Sequence, residues 1–177
     1  QNHQIQAEGG VLEEDCKRLI KVFSKFITSK IPFVLMKYAM TMDGKIATYT
    51  NHSKWITGEE ARQRVQQTRH EFSAIMVGVN TIIYDNPLLT CRLENGRNPA
   101  RIICDTHLRT PLDANVVQTA GSDTTFLATC SKDEEKRKQY LKKNCVLLDV
   151  GEKDGHIDLT DLMADLGNRN IDSVLLE

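Results

Sequence analysis

Apolar residues along the 177-residue chain fall into short consecutive runs, separated by polar stretches that carry apolar residues at helical spacing. Between Val11 and Ile27, Leu12, Cys16, Leu19, Phe23 and Phe26 repeat as in a one-sided amphipathic helix. Phe33 to Met40 follows Pro32 and is apolar at consecutive positions, which predicts a strand buried on both faces. Ala74 to Val79, Arg101 to Cys104, Thr124 to Thr129, Cys145 to Val150 and Ile171 to Leu176 predict further strands. Thr57-Gly58-Glu59-Glu60 fits a capping box, with the Thr57 hydroxyl on an orphan amide and Glu60 reaching back, so a helix should run to about Glu71. A short helix after the second strand ends at Asn86-Pro87, because the residue before proline avoids the helical region. Lys132 to Lys143 predicts a peripheral helix anchored by Tyr140 and Leu141. Leu159, Leu162, Met163 and Leu166 predict another, with Asp158 as its N-cap. The alternation of strands and helices predicts an α/β fold, a three-layer sandwich with a mainly parallel sheet between flanking helices.

Composition narrows the picture modestly. A chain of this size with 40% hydrophobic and 27% charged residues is long enough to bury one good core. A formal net charge of -1 argues against a general nucleic-acid or membrane-surface binder. Cys16, Cys91, Cys104, Cys130 and Cys145 are scattered, odd in number and without Cys-x-x-Cys, which reads as reduced thiols in a cytoplasmic protein with no structural zinc. The polar N-terminus and short apolar runs give no signal peptide and no membrane span. Gln1 to Gly10 reads as a polar tail.

Candidate chemistry begins with Lys37, which interrupts the first apolar run. An ammonium there is costly unless it is paired or meets a cavity, so the end of that strand should face a polar site. A lysine snorkelling to solvent fits this one residue equally well. Asp43-Gly44 is turn chemistry, and the only tryptophan, Trp55, follows Ser53 in a loop that ends at a helix start. As a core aromatic or as a site residue, Trp55 reads equally well. Gly78-Val79-Asn80-Thr81 takes a strand through a small-residue turn into a short helix, offering free backbone amides, although it is no Gly-x-Gly-x-x-Gly fingerprint. Arg62, Arg64 and Arg69 surround the thin apolar stripe of the helix after Gly58, where arginines are mostly solvated. Lys37, Ala39, Thr81, Thr106 and Glu177 all fall at or just beyond predicted strand ends, where open α/β sheets bind ligands.

Lys37 to Ala47, with its Lys-x-Ala-x-Thr-x-Asp-Gly-Lys-Ile-Ala pattern, is followed by Ser-Lys-Trp-Ile-Thr-Gly from Ser53 to Gly58. Gly-Val-Asn-Thr-Ile from Gly78 and Asp-Asn-Pro-Leu-Leu-Thr-Cys-Arg from Asp85 continue in order. Together these blocks, which cover most of the chain from about Phe33, resemble the reductase domain of the bifunctional riboflavin-biosynthesis deaminase-reductase, a family similar in fold to dihydrofolate reductase. The resemblance implies NADPH as cofactor, with Ala39, Trp55, Thr81, Asp85 and Thr106 at cofactor positions. It implies substrate contacts from Ser53, Arg69, Leu89, Arg92 and Glu177, with Lys37 and Glu177 as the catalytic candidates and no metal. Ser53, Arg69 and Arg92 are expected to form the pocket for the substrate's 5'-phosphate. It further implies that residues 1–30 are a tail and linker helix from a preceding deaminase domain, and that 31–177 form the reductase domain. In that family a glycine-rich loop, a helix and a final hairpin follow the position of Glu177, so part of the NADPH site is expected beyond it.

The expected reaction is reduction of 5-amino-6-(5-phosphoribosylamino)uracil, hydride reaching C1' of the ribose. The His-x-Glu and Pro-Cys-x-x-Cys of a zinc deaminase are absent from this sequence, so deamination would belong to another part of the parent. Two rivals remain open at this stage. A pterin reductase would need a buried acidic residue early in the first helix, and a silent scaffold for a deaminase would bind no NADPH. The prevalence of two-fold oligomers and the resemblance together imply a homodimer, with a small-molecule substrate and neither nucleic acid nor membrane as partner.

Overall fold

The computed structural model describes residues 7–50, 52, 53 and 55–177, so most of the expected N-terminal tail lies outside the described residues. Helices α1 (Glu13–Leu19) and α2 (Lys21–Ser29) precede strand β1 (Phe33–Met36). Helix α3 (Glu59–Glu71), β2 (Ala74–Gly78), α4 (Val79–Asp85) and β3 (Ala100–Cys104) follow. Then come α5 (Asn115–Gln118), β4 (Thr125–Thr129), α6 (Glu134–Lys142) and β5 (Val146–Asp149). A two-residue hairpin of β6 (Glu152–Lys153) and β7 (His156–Ile157) leads to α7 (Leu159–Asn168) and β8 (Ser173–Leu176).

Six strands form one sheet in the order β1-β8-β2-β3-β4-β5, and every neighbouring pair is parallel. Alternate residues of each strand serve two cores, as the two-residue side-chain period requires. Ile75, Val77, Ile103, Leu127 and Leu175 pack with Val79, Ile82, Val116, Val117 and Tyr140 on one face. Ala74, Met76, Ile102, Phe126 and Val174 pack with Leu162 and Leu166 of α7 on the other. Each fully buried Leu or Ile contributes about 1.5–3 kcal/mol through removal from water. Layers of helix, sheet and helix therefore make the expected three-layer sandwich, a dihydrofolate-reductase-like arrangement. Asp158 caps α7 as expected, accepting from the amides of Thr160 and Asp161. Gly167 lets α7 press against the chain after α2, since a Cβ there would collide with the Lys30 carbonyl.

Four expectations are corrected. The strand beginning at Phe33 ends at Met36 rather than Met40, and it lies at the sheet edge with Val34 44% and Met36 63% exposed. β8 pairs with one side of it, and among the described residues nothing pairs with the other. The single helix expected across Val11 to Ile27 breaks at Ile20, whose ψ of 10° departs from helical geometry, and neither piece has a buried residue. No capping box forms at α3. Gly58 occupies the N-cap without a side-chain bond, one residue later than the box requires. In α6, Tyr140 is buried but Leu141 is 54% exposed, so only the tyrosine is an anchor.

Arg101 is the largest side chain buried without exposure. Its guanidinium donates to the Thr125 and Thr119 hydroxyls and to the carbonyls of Leu88, Val116 and Asp123. Burial lowers its pKa, while the Asp123 carboxylate, 3.8 Å away, opposes the drop. A buried cation is tolerated because its N–H groups are so thoroughly used.

Burial also raises the Tyr140 phenol from 10.0 to about 12 and the Cys104 and Cys145 thiols from 9.0 to about 11. Unfolding lets these groups lose protons at their ordinary values, so the folded chain binds more protons between those values and the raised ones. The contribution of these three groups to stability should therefore be level below about pH 9 and fall as pH rises from about 9 to 12, Tyr140 accounting for roughly 2 to 3 kcal/mol of the loss. Urea unfolding at stepped alkaline pH checks this, and a midpoint that stays constant to pH 12 would contradict it.

Candidate functional site

A cavity of about 530 Å³ opens at the carboxyl ends of β1, β8 and β2. The sheet itself delivers three of its walls. Lys37, the first residue beyond β1, continues the ladder by donating its amide to the Leu176 carbonyl. Glu177, the first beyond β8, donates likewise to Met76. β2 runs straight into α4, whose N-cap Gly78 makes no side-chain capping bond. Lys37, Ala39, Ser53, Trp55, Thr81 and Asp85 line this cavity. So do Arg69, Leu89, Arg92 and Glu177. Among the site residues expected from sequence, Thr106 alone is not brought to its lining. Thr106 sits beyond the end of β3, where its carbonyl accepts from the Cys130 amide and the Thr129 hydroxyl.

Lys37 follows the last residue of β1 directly and lines the cavity. Among the described residues no carboxylate lies within ion-pair distance of Lys37. Glu177, by contrast, is engaged: its Oε2 accepts from Arg69 Nη2 at 2.7 Å, both side chains being 13% exposed. Arg69 Nη1 also donates to the Thr90 carbonyl at 3.1 Å. Arg69 Nε and Glu177 Oε1 are enclosed and without hydrogen-bond partners. The expected phosphate trio of Ser53, Arg69 and Arg92 thus shares one cavity, but Arg69 spends two of its donors inside the protein. The Arg92 guanidinium makes no hydrogen bond or ion pair among the described residues, and the residue is exposed.

The loop from Asn86 to Arg92 forms another wall and is pinned nearly residue by residue. Asn86 ends α4 in the left-handed region at φ 41°, and Leu89 sits at φ 56° although it is 3% exposed. A leucine in that region is strained by roughly 1 kcal/mol or more and persists only where its surroundings hold it. Asn115 donates from its amide and its side chain to Asn86, both at 2.8 Å. Arg101 takes the Leu88 carbonyl, Arg69 takes that of Thr90, and the Gln66 side chain accepts from the Arg92 amide at 2.9 Å. Gln66 and Asn115 were not singled out in the sequence. Their partners are some 26 and 29 positions away, and no local pattern marks them.

Trp55 is not a core aromatic, being 73% exposed beside the cavity. Arg62, which as a helix arginine reads as solvated, lies over the Trp55 ring at 4.4 Å from its centroid. Thr41 and Asp43 close the turn expected at Asp43-Gly44, with Gly44 at φ 80°. Glu59 and Glu60 in the first turn of α3 are exposed and outside the cavity lining. Among the described residues, no group of His, Cys, Asp and Glu could hold a metal ion. No helix among them is long and apolar enough to cross a membrane.

The sequence model of one family, described as the RibD C-terminal domain, matches residues 32–177. The riboflavin biosynthesis protein RibD of Actinobacillus pleuropneumoniae is 51% identical over 98% of this chain and 46% of its own length. RibD of Aquifex aeolicus is 36% identical over 99% of the chain and 51% of its own length. A solved Thermotoga maritima structure, a diaminohydroxyphosphoribosylaminopyrimidine deaminase/5-amino-6-(5-phosphoribosylamino)uracil reductase, superposes with a TM-score of 0.80 at 37% identity. It covers 95% of this chain and 45% of that one. The chain spans about half the length of the curated relatives it matches.

The Arg69–Glu177 pair joins a helix to the sheet, so its loss should weaken the fold. Arg69→Met should lower the free energy of unfolding by about 1.5–3 kcal/mol, because Glu177 is left partly buried without its charge-assisted partner. Urea denaturation measures this. A change below about 0.5 kcal/mol would place the pair with ordinary surface bridges.

Proposed function

The chain belongs to the RibD C-terminal domain family, and from that membership and the cavity we propose that it is the NADPH-dependent reductase of riboflavin biosynthesis. Its substrate in this reading is 5-amino-6-(5-phosphoribosylamino)uracil, taken to the 5-phosphoribitylamino product. The observation that carries the proposal is the convergence of Lys37, Glu177, Trp55, Thr81, Asp85 and Arg92 on one cavity at the strand ends. A pterin reductase would need a buried acid at the start of α3, and the exposure of Glu59 and Glu60 speaks against it.

A reductase implies a nicotinamide cofactor, and the donor set suits one. The exposed Trp55 ring offers a flat apolar face, Thr81 a hydroxyl in the first turn of α4, whose amides lack a side-chain cap, and Asp85 a carboxylate at the far end of that helix. When bound, the cofactor supplies a hydride to C1' of the open-chain imine. Lys37 delivers the proton that the imine nitrogen takes as that hydride arrives, leaving an amine. Glu177, held by Arg69, orients the pyrimidine and ribose. Ala39 lets the cofactor approach closely, Leu89 packs against substrate, and Thr106 contacts the more distant part of the cofactor. Ser53 and Arg92 hold the 5'-phosphate, with Arg69 contributing from behind its ion pair.

Residues 31–177 serve in this reading as the reductase domain, and the helical segment before them as the link to a deaminase. We further propose that the protein is cytoplasmic and that it forms a homodimer, the second reading supported by the apolar surface that Phe23, Ile27, Val34, Met36 and Tyr38 leave exposed.

The test is NADPH oxidation with the phosphorylated pyrimidine, repeated with its dephosphorylated counterpart. Arg92→Ala should raise KM for the phosphorylated compound by roughly ten- to a hundredfold with little change in kcat, since the phosphate is unaltered by hydride transfer. On the dephosphorylated compound the variant should match wild type. No oxidation by the wild-type protein would overturn the reductase reading, and equal losses on both compounds would remove Arg92 from the phosphate.

A further inference from the structure

We infer that Arg62 is a positioning residue of this site, acting through Trp55. The inference rests on the reductase reading above for its ligand, but the geometry stands on its own. Trp55 is the only tryptophan in the chain, and most of its surface is exposed. An indole so exposed has little packing to fix it. Arg62, one turn into α3, covers one face of it: its guanidinium lies 4.4 Å from the ring centroid. The same side chain donates from Nη1 to the Thr57 carbonyl at 2.7 Å. One guanidinium therefore grips the loop at two points, the ring of Trp55 and the backbone of Thr57, and ties both to a helix.

The consequence is a preorganised wall. Arg62, Trp55 and Thr57 all line the cavity, and the missing side-chain cap at Gly58 leaves the entry to α3 without the usual local fastening. Arg62 replaces that fastening from inside the helix. Arginine suits the task because a planar guanidinium can stack on a ring and still donate in its own plane, which a lysine ammonium cannot. With one ring face covered by Arg62, the cofactor meets an indole whose position is already set, and the ordering cost falls before binding rather than during it.

The lone tryptophan makes the test direct. Acrylamide quenching of Trp55 emission in the ligand-free protein compares wild type, Arg62→Lys, Arg62→Met and the exposed-face control Gln67→Ala. Arg62→Met should raise the quenching constant about twofold, Arg62→Lys should fall between, and Gln67→Ala should match wild type. Equal quenching in Arg62→Met and wild type would overturn the inference. Calorimetric titration with NADPH then compares Arg62→Met, Trp55→Ala and the double variant. Arg62→Met should bind about two- to fivefold more weakly, the size of one exposed cation–π contact. If Arg62 acts through the ring, the double variant loses no more than Trp55→Ala alone. Losses that multiply would show Arg62 acting independently of Trp55 and would overturn the positioning role. A wild-type protein that binds no NADPH would overturn the reductase reading instead, and the quenching comparison would still decide whether Arg62 holds the ring.

Discussion

A single ion pair 2.7 Å long, between Arg69 near the end of α3 and Glu177 at the end of β8, joins the helical wall of the cavity to its floor. β8 lies between β1 and β2, so Glu177 stands between Lys37 on one side and the start of α4 on the other. Arg69 holds this carboxylate with one amino group and the Thr90 carbonyl with the other. Sheet, helix and loop are thereby fixed against each other through one guanidinium. The arrangement is not tuned for stability alone: one donor of the arginine and one oxygen of the glutamate stay enclosed without partners, each a cost of about 1–3 kcal/mol when fully desolvated. Sites that break the rule of satisfied burial are where a fold concedes stability to function.

A second arginine does comparable work away from the cavity. Arg101 gathers the Leu88 carbonyl with groups from α5 and the segment leading into β4. The loop from Asn86 to Arg92 is thus tied by Arg101 at Leu88 and by Arg69 at Thr90, with left-handed Leu89 between them. Two bonds from rigid elements hold a strained residue in place. That leaves the Arg92 side chain extending from a loop whose backbone has little freedom, the condition under which a surface arginine can recognise a phosphate with geometry rather than charge alone.

Much of the fold was legible because its signals are local. Consecutive apolar residues at Ala74–Val77 and Ile102–Ile103 mark buried strands wherever they lie, and Asp158 caps α7 within three residues of itself. The edge position of β1 has a non-local cause. Phe33 to Met36 has the same apolar run as the buried strands, but burial depends on neighbours, and its place at the edge follows from β8 arriving late in the chain to pair with it. The capping box failed by one position, the difference between Thr57 and Gly58 as N-cap. The site was read mainly from resemblance. Lys37 and the strand ends were legible without the resemblance, since those follow from the cost of burying charge and from parallel topology. Arg101 was not, since its partners span positions 88 to 125, nor was Arg62, which looks like any solvated helix arginine until the Trp55 loop is placed over it.

In the proposed reading, hydride transfer to the ribose takes place in the cavity shared by Lys37 and Glu177. The measurement that bears on this most directly uses NADPH deuterated on the transferring face of the nicotinamide, with the phosphorylated pyrimidine, followed by mass and magnetic-resonance analysis of the product. A single deuterium at C1' of the ribityl chain is expected in wild type, formed far more slowly by Lys37→Ala at saturating substrate. Deuterium elsewhere in the product, or an undiminished rate in a well-folded Lys37→Ala protein, would contradict it.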